Sequence, residues 1–185
     1  MRLAPLCFAL IASTATAAEL ELKNIRPGMT LDQLNSLYPT LNCKPAPKAD
    51  GIDACRYTRK SIDQQNVTEL NTLAEELVES WGIEFSNNKL GAVLILFDHD
   101  KFNTITTALR AKFGTPAIVR GTVQNRAGAT FPSSTLTWRT KTAFLKAQEH
   151  VADIETSAIT LMSQAHAAYR VKAVESPPKS KAKDL

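Results

Sequence analysis

Two cysteines, Cys43 and Cys55, set the strongest covalent constraint on how this chain can fold. They lie twelve residues apart, and the segment between them contains two prolines and Gly51, which favour a loop. In an oxidising compartment, an even pair at so short a separation predicts a disulfide. In the chain-entropy model such a bond adds about 3 kcal/mol of stability, because it restricts the unfolded chain. The sequence therefore predicts a loop from Asn42 to Ile52 that is closed by one disulfide.

A third cysteine, Cys7, lies in an N-terminal segment with the pattern of a bacterial secretory signal peptide. A short positive start is followed by an apolar stretch from Leu3 to Ala12 and then by small residues. A signal peptidase requires this order, and we expect cleavage after Ala17 or Ala18. The apolar stretch is too short for a transmembrane anchor, which takes roughly 20 residues. We therefore expect a periplasmic or secreted protein from which residues 1–18 are removed.

Two other roles for the cysteines fit the sequence less well. A lipoprotein carries its lipidated cysteine at the end of the apolar stretch and after a small residue, whereas Cys7 follows bulky Leu6 inside that stretch. A metal site built on Cys43 and Cys55 needs further histidine or cysteine ligands, and the neighbouring sequence offers none. Cleavage thus leaves an even pair, and we interpret that pair as the disulfide.

The positive charge of the chain is concentrated at its two ends. The whole sequence has a formal net charge of +4, but one arginine leaves with the leader and three lysines lie in residues 176–185. The part of the chain between these two ends is close to neutral, so the sequence predicts no nucleic-acid partner.

Residues 19–175 are predicted to form one domain, and residues 176–185 a mobile basic tail. Such a tail gives only a weak, salt-sensitive attraction to an anionic membrane or cell wall.

A helix start is encoded at Thr30. Gln33 follows three residues later, which is the pattern of a capping box, and Met29 and Leu34 occupy the two positions of a hydrophobic staple. The next apolar residues share one helical face until Pro39 ends the helix. The sequence therefore predicts a short amphipathic helix just before the disulfide loop.

The middle of the chain contains a hairpin pattern. Apolar residues alternate from Trp81 to Phe85 and run almost unbroken from Leu90 to Phe97, with two asparagines in the turn between them. Asparagine tolerates the positive φ that tight turns require. The second strand is apolar on both faces, which predicts an interior position in the sheet.

Upstream of the hairpin, apolar spacing in Val67–Val78 predicts a helix, although residues from Leu77 onward also alternate as in a strand.

The second half of the chain predicts one helix, three or four strands and a closing helix. The first helix covers Lys101 to Phe113, with Asp100 as its cap and Gly114 after its last turn. The strands and the closing helix are predicted at Ala117–Gln124, Leu136–Arg139, Ala143–His150, Ser157–Met162 and Gln164–Val174. Turns are predicted at 125–128 and 131–134. This order favours an α+β fold in which helices pack on one face of an antiparallel sheet.

Two histidine-containing clusters are candidate metal or general-base sites. The first is Asp98-His99-Asp100, because carboxylates beside an imidazole can ligate a metal or tune a base. Three adjacent residues cannot all point to one site, however, and Asp100 is assigned to the helix cap. The second cluster is His150, Asp153 and Glu155, in which two ligands three residues apart would share a face on a helix, but the surroundings predict a strand end and a loop. Ordinary surface charge therefore explains both clusters more simply.

No catalytic, cofactor-binding or metal-binding residue is assigned from the sequence. It has no Gly-x-Ser-x-Gly elbow and no glycine-rich phosphate loop, and two bonded cysteines leave no free thiol in the mature chain. His166, on the closing helix, has no acidic neighbour one turn away, so we expect it to be structural or exposed. Trp81 and Trp138 lie among apolar neighbours and are predicted to be core residues rather than ligand platforms.

The segment Ile25-Arg26-Pro27-Gly28-Met29-Thr30, with two leucines behind it, resembles the start of small bacterial envelope proteins of the BamE/SmpA type and of the β-lactamase-inhibitor-like fold. The resemblance covers about fifteen residues. It implies helices that precede and pack on an antiparallel sheet, and a role in protein binding, either in outer-membrane protein assembly or in enzyme inhibition. The assembly lipoproteins have a lipidated cysteine directly after the signal peptide, where this chain has Ala18 or Glu19, and no binding residue is carried over.

The sequence therefore predicts an exported, non-enzymatic protein-binding module without a cofactor. Its expected partner is an envelope or exported protein, bound through the free sheet face or a sheet edge. Two variants of this function differ in the partner: an accessory of envelope assembly, or an inhibitor or immunity protein. The alternative is an exported hydrolase whose site contains His99 or His150.

Overall fold

The computed structural model describes residues 19–46, 52–65 and 67–175. The predicted leader, the predicted tail and the middle of the predicted disulfide loop lie outside the described residues. The helices are α1 (Leu31–Leu37), α2 (Arg59–Gln64), α3 (Phe102–Phe113) and α4 (Gln164–Glu175). The strands are β1 (Asp53–Thr58), β2 (Thr72–Leu73), β3 (Glu76–Leu77), β4 (Ser80–Ser86), β5 (Lys89–Asp98), β6 (Ala117–Gln124), β7 (Thr130–Arg139), β8 (Ala143–Gln148) and β9 (Thr156–Ser163). Single 3-10 turns cover Pro39–Leu41, Thr68–Leu70 and His99–Lys101.

Seven of these strands form one antiparallel sheet in the order β1-β4-β5-β9-β8-β7-β6. β2 and β3 form a separate small hairpin. β5 and β8 are both antiparallel to β9, which lies between them. The two strands therefore run in the same direction and end at the same edge of the sheet. The predicted α+β fold with an antiparallel sheet is confirmed.

Alternation along the strands sends side chains to two different faces of the sheet. One face forms the core, and α1, α2 and α3 pack against it through Leu34, Ile62, Phe102 and Ile105. The core-face side chains include Trp81, Ile83, Phe85, Val93, Ile95, Phe97, Leu145, Ile159 and Leu161. Most of these positions are β-branched or aromatic residues, which suit a pleated, buried surface. We call the opposite side of the sheet the open face; α4 lies on this side.

The predicted disulfide and the predicted first helix are confirmed. Cys43 and Cys55 are bonded, with an S–S distance of 1.97 Å, and both are buried. Thr30 accepts a hydrogen bond from the Gln33 backbone N–H, and the Gln33 side chain accepts one from the Thr30 N–H, so the capping box is complete. The disulfide therefore ties the segment after α1 to β1, the edge strand of the sheet.

The hairpin formed by β4 and β5 is also confirmed, with Asn87 and Asn88 at φ +50° and +56° in its turn. β5 has a neighbour on each side, as predicted. Trp81 and Trp138 are buried core residues. Among the described residues, no helix has both the length and the apolar character needed to cross a membrane.

Three local predictions are wrong. The segment predicted as a helix over Val67–Val78 forms a 3-10 turn followed by the β2-β3 hairpin, whose turn residues Ala74 and Glu75 both have positive φ. Asp100 does not cap α3; its carboxylate pairs with Lys101 Nζ at 3.0 Å, and the helix begins at Phe102 after a 3-10 turn. Residues 131–134 are not a turn but lie inside β7.

Candidate functional site

The centre of the open face is a row of residues that are paired across five adjacent strands. Leu94 on β5 pairs with Gly82 on β4 and with Thr160 on β9. Gly82 pairs in turn with Arg56 on β1, and Thr160 with Lys146 on β8. Leu94 thus stands between a glycine and a threonine, with a cation two strands away on each side. Since neighbouring strands are about 4.8 Å apart, the row spans roughly 19 Å between the outer Cα atoms.

Leu94 is an unusual residue for the middle of a sheet because 40% of its surface is exposed. Leu96 lies beside it on the same face and is half-buried. Together with Arg56, Gly82 and Thr160, these leucines line a groove of about 360 Å³. The other face of the sheet is fully packed in the core. The apolar floor of the groove is on the open face and is therefore available to a partner.

The charges around the groove are unbalanced. Arg56 and Lys146 form no ion pair with any described residue. Glu84, at the end of the groove near α4, accepts hydrogen bonds from His166 and Arg170 and is thus already neutralised. At the other end, Asp98 shares a hydrogen bond with Glu79. The unpaired charges of the central row are therefore positive.

A second feature lies at the sheet edge where β5 and β8 end. His99 follows β5 directly, and Glu149 and His150 follow β8. The ligand atoms of these three side chains lie within 4.8 Å of one another, and the two imidazole rings have centroids 4.3 Å apart. All three side chains are half-buried. The structure therefore joins one histidine from each of the two clusters singled out in the sequence, whereas Asp100, Asp153 and Glu155 are not part of this group.

The hydrogen bonds of this group define which ring nitrogens are free. His99 Nδ1 lies 3.3 Å from the Glu149 carbonyl oxygen, so that nitrogen carries the hydrogen and Nε2 has the lone pair. His150 Nδ1 is buried without a hydrogen-bond partner among the described residues. The Glu149 carboxylate accepts a hydrogen bond from Ser134 Oγ at 2.7 Å.

A third feature is the attachment of α4 to the open face. His166 is 1% exposed, and its two ring nitrogens lie 3.1 Å from Ser86 Oγ and 3.1 Å from Glu84 Oε2. Ser86 and Glu84 are two residues apart on β4 and so project from the same face. These side chains stand beside a cavity of about 650 Å³ that Ser86 and His166 help to line. His166, expected from the sequence to be structural or exposed, is buried, and both of its ring nitrogens are hydrogen-bonded.

Sequence reasoning missed Glu149 and the pairing of Glu84 and Ser86 with His166. The alternation of side chains along β4 places Glu84 and Ser86 on one face, and the sequence pattern is sufficient to predict this. The contact between His99 and His150 cannot be predicted in this way, because it depends on β9 lying between β5 and β8.

Comparison with protein-family models, with curated proteins and with solved structures finds no match to this chain. The similarity of the Ile25–Thr30 segment to envelope proteins therefore stays a prediction.

Proposed function

We propose that this protein is an exported binding module that docks a segment of another exported polypeptide on its open sheet face. The observation that carries the proposal is the row through Leu94, in which an exposed leucine is flanked by small residues and bordered by unpaired Arg56 and Lys146. An exposed apolar centre with a polar rim is the usual anatomy of a protein interface. No chemical step is required of this face.

The charges specify the partner's chemistry. A segment that places an apolar side chain against Leu94 and acidic side chains towards Arg56 and Lys146 would bury the leucine and pair both cations. Gly82 and Thr160 leave room for the partner's backbone on either side of Leu94, because neither projects as far as the leucine. The proposed partner is therefore an acidic, apolar-centred segment, in an envelope assembly factor or in an enzyme that this protein inhibits.

The test is a selection from a phage-displayed library of random linear peptides against the purified, disulfide-bonded protein. We expect the enriched peptides to carry acidic residues around an apolar one. Binding of the best peptide, measured by fluorescence anisotropy, should weaken at least about tenfold in Leu94→Asp, as for other central interface residues. Arg56→Glu and Lys146→Glu should each also weaken peptide binding relative to wild type, most strongly at low salt.

Arg110→Glu is the matched control, because Arg110 is an exposed cation on α3, on the other side of the sheet. It makes the same charge change and should leave peptide binding unchanged. Failure to enrich any peptide, enrichment of basic peptides, or equal loss in Arg110→Glu would each contradict docking on the open face.

A second candidate function, an exported hydrolase, is favoured by the hydrogen-bonded series Ser86, His166 and Glu84. If Ser86 donates to Nδ1, then Nε2 carries a hydrogen and donates to Glu84, so the imidazole can take the serine proton while the carboxylate stabilises the imidazolium. The neighbouring cavity would hold the acyl group. This arrangement uses a different histidine from the two that the sequence suggested.

The hydrolase function can be tested with a fluorophosphonate probe, which reacts covalently with an activated serine. A hydrolase should be labelled at Ser86, and Ser86→Ala should abolish labelling while the variant still unfolds cooperatively in urea, which shows that it remains folded. Ser163→Ala, which alters another serine beside the same cavity, should keep the label. Absence of labelling in the wild-type protein would exclude an activated Ser86 and leave the three side chains as an anchor for α4.

A further inference from the structure

We infer that His99, Glu149 and His150 form a binding site for one divalent transition-metal ion, with zinc as the best-fitting cation. This inference does not rest on the proposed docking function, because the three side chains lie at the edge where β5 and β8 end and not in the groove around Leu94.

The donor set is the first reason. Two imidazole nitrogens and one carboxylate oxygen suit zinc and neighbouring transition ions, whereas calcium and magnesium prefer oxygen ligands alone. Zinc ligands about 2.1 Å from the ion are roughly 3.4 Å apart in a tetrahedral site. One potential ligand atom from each of the three side chains already lies within 4.8 Å of the other two, so side-chain movements of roughly 1–2 Å would bring the ligands to the spacing of a zinc site.

The second reason is that the hydrogen bonds prepare both histidines for a metal. The contact between His99 Nδ1 and the Glu149 carbonyl oxygen fixes the tautomer whose Nε2 is a ligand, the arrangement seen around most metal-bound histidines. The hydrogen bond from Ser134 similarly orients the Glu149 carboxylate. Hydrogen bonds of this kind, made by groups that do not touch the ion, hold the ligands of a metal site in the orientation needed for binding.

The third reason is the unsatisfied nitrogen of His150. Its Nδ1 is buried and has no hydrogen-bond partner among the described residues, and leaving such an atom unpaired costs roughly 1–3 kcal/mol. A metal ion bound at this atom would remove that cost. Glu155 and Asp153 lie in the same connection between β8 and β9 and add negative charge that favours a cation.

The position of the three residues on ordered structure also favours binding. His99 donates its backbone N–H to the Glu155 carbonyl oxygen at 2.7 Å, and Glu149 donates its backbone N–H to the Ser134 carbonyl oxygen at 3.0 Å. The backbone of both ligand segments is thus held before any ion arrives. Three protein ligands would leave a fourth position for water or for a ligand atom from a partner.

The test is a zinc titration of the untagged, disulfide-bonded protein after removal of metals with EDTA, read by competition with a chromophoric chelator. We expect one zinc ion per chain. His99→Ala and His150→Ala should each weaken binding at least about tenfold, because losing even an outer-shell partner of a ligand costs 10–100-fold. Glu149→Gln should weaken it as well. Asp32→Asn removes an exposed carboxylate on α1, beside the opposite end of β5 from His99, and should bind zinc as wild type does.

X-ray absorption of the zinc-loaded wild-type protein supplies a readout that needs no variant. The chain has three histidines, and both ring nitrogens of buried His166 are already hydrogen-bonded. A first shell with two imidazoles therefore identifies His99 and His150. Failure to bind one zinc per chain, a shell without imidazole, or unchanged affinity in the His99→Ala, His150→Ala double variant would overturn the inference.

Discussion

Gly91 lies directly against the imidazole of His166: a Cβ placed on Gly91 would come within 2.0 Å of His166 Nδ1. Gly91 is the extra residue opposite the β4 irregularity between Glu84 and Phe85, where the pairing register with β5 shifts. The bulge and the missing side chain together make room for the ring that attaches α4 to the sheet. A glycine inside an apolar strand often marks such a close approach.

Gly91→Ala should therefore destabilise the protein. His166 cannot swing away without breaking its hydrogen bonds to Ser86 and Glu84, so we expect a loss of about 1–3 kcal/mol in the free energy of unfolding, typical of an overpacked site. Urea denaturation measures this loss. Gly82→Ala is the control, because a Cβ at Gly82 meets Leu94 Cβ at an ordinary 3.7 Å and should change stability by less than about 1 kcal/mol. Equal effects of the two substitutions would show that the ring does not fill the space above Gly91.

Reduction of the Cys43–Cys55 bond should lower stability by about 3 kcal/mol, chiefly because the unfolded chain gains freedom. The measurement compares urea unfolding of the oxidised protein with that of the Cys43→Ala, Cys55→Ala variant. The wild-type protein in reductant should behave like the double variant, and reductant should have no effect on the variant itself. A variant as stable as the oxidised wild type would contradict a stabilising role for the bond.

Thr30→Ala should cost about 1 kcal/mol, because it removes the side-chain acceptor for one orphan N–H at the start of α1. Thr30→Ser keeps the hydroxyl and should restore most of the lost stability. The unfolding free energy of the three proteins in urea gives the comparison. Equal losses in the alanine and serine variants would show that the hydroxyl of Thr30 does not cap the helix.

The elements that the sequence predicts correctly are those whose signals are local. The capping box of Thr30 and Gln33, the asparagine turn after Ser86 and the positive-φ Gly114 that follows α3 each act within a few residues. The buried face of α3 is also predicted from a local signal, because its apolar residues recur at helical spacing.

The wrong predictions concern segments where tertiary structure decides. Leu70 and Leu73 are buried and have the spacing of a helix, but the chain reverses at Ala74 and Glu75, two residues with no turn signal. Pro132 lies inside β7, where β8 pairs only with Thr135 onward. A strand with a neighbour on one side can accommodate proline, because the missing N–H can face the unpaired side.

The candidate sites show the same division. The exposed Leu94 belongs to a strand that reads as apolar on both faces, so the sequence could not show which face stays open. The sequence shows both histidine clusters, but neither cluster alone can provide the ligands of a metal site. One histidine from each is brought together only by the strand order, in which β9 lies between β5 and β8 and His99 comes beside His150.

The pair Glu79 and Asp98 makes stability depend on pH. Partial burial raises the pKa of the Glu79 carboxyl above its usual 4.5, and the hydrogen bond and repulsion from Asp98 raise it further. The folded state therefore holds this proton more tightly than the unfolded state. The resulting stabilisation is complete below about pH 4.5 and is lost as the pH rises through the raised pKa. Glu79→Gln should accordingly be more stable than wild type at pH 7, with a difference that shrinks in acid.

Urea unfolding of both proteins across the acidic to neutral range measures this difference. Asp153→Asn provides a control of opposite sign, since hydrogen bonds from Thr156 and Glu155 lower the pKa of the Asp153 carboxyl. The stabilisation from Asp153 is present above pH 3.8 and is lost as the pH falls through the lowered pKa. Asp153→Asn should thus lose stability at neutral pH, where Glu79→Gln gains it. A gain in both variants would point to a general relief of negative charge at this edge of the sheet, and would contradict a specific effect of the Glu79–Asp98 pair.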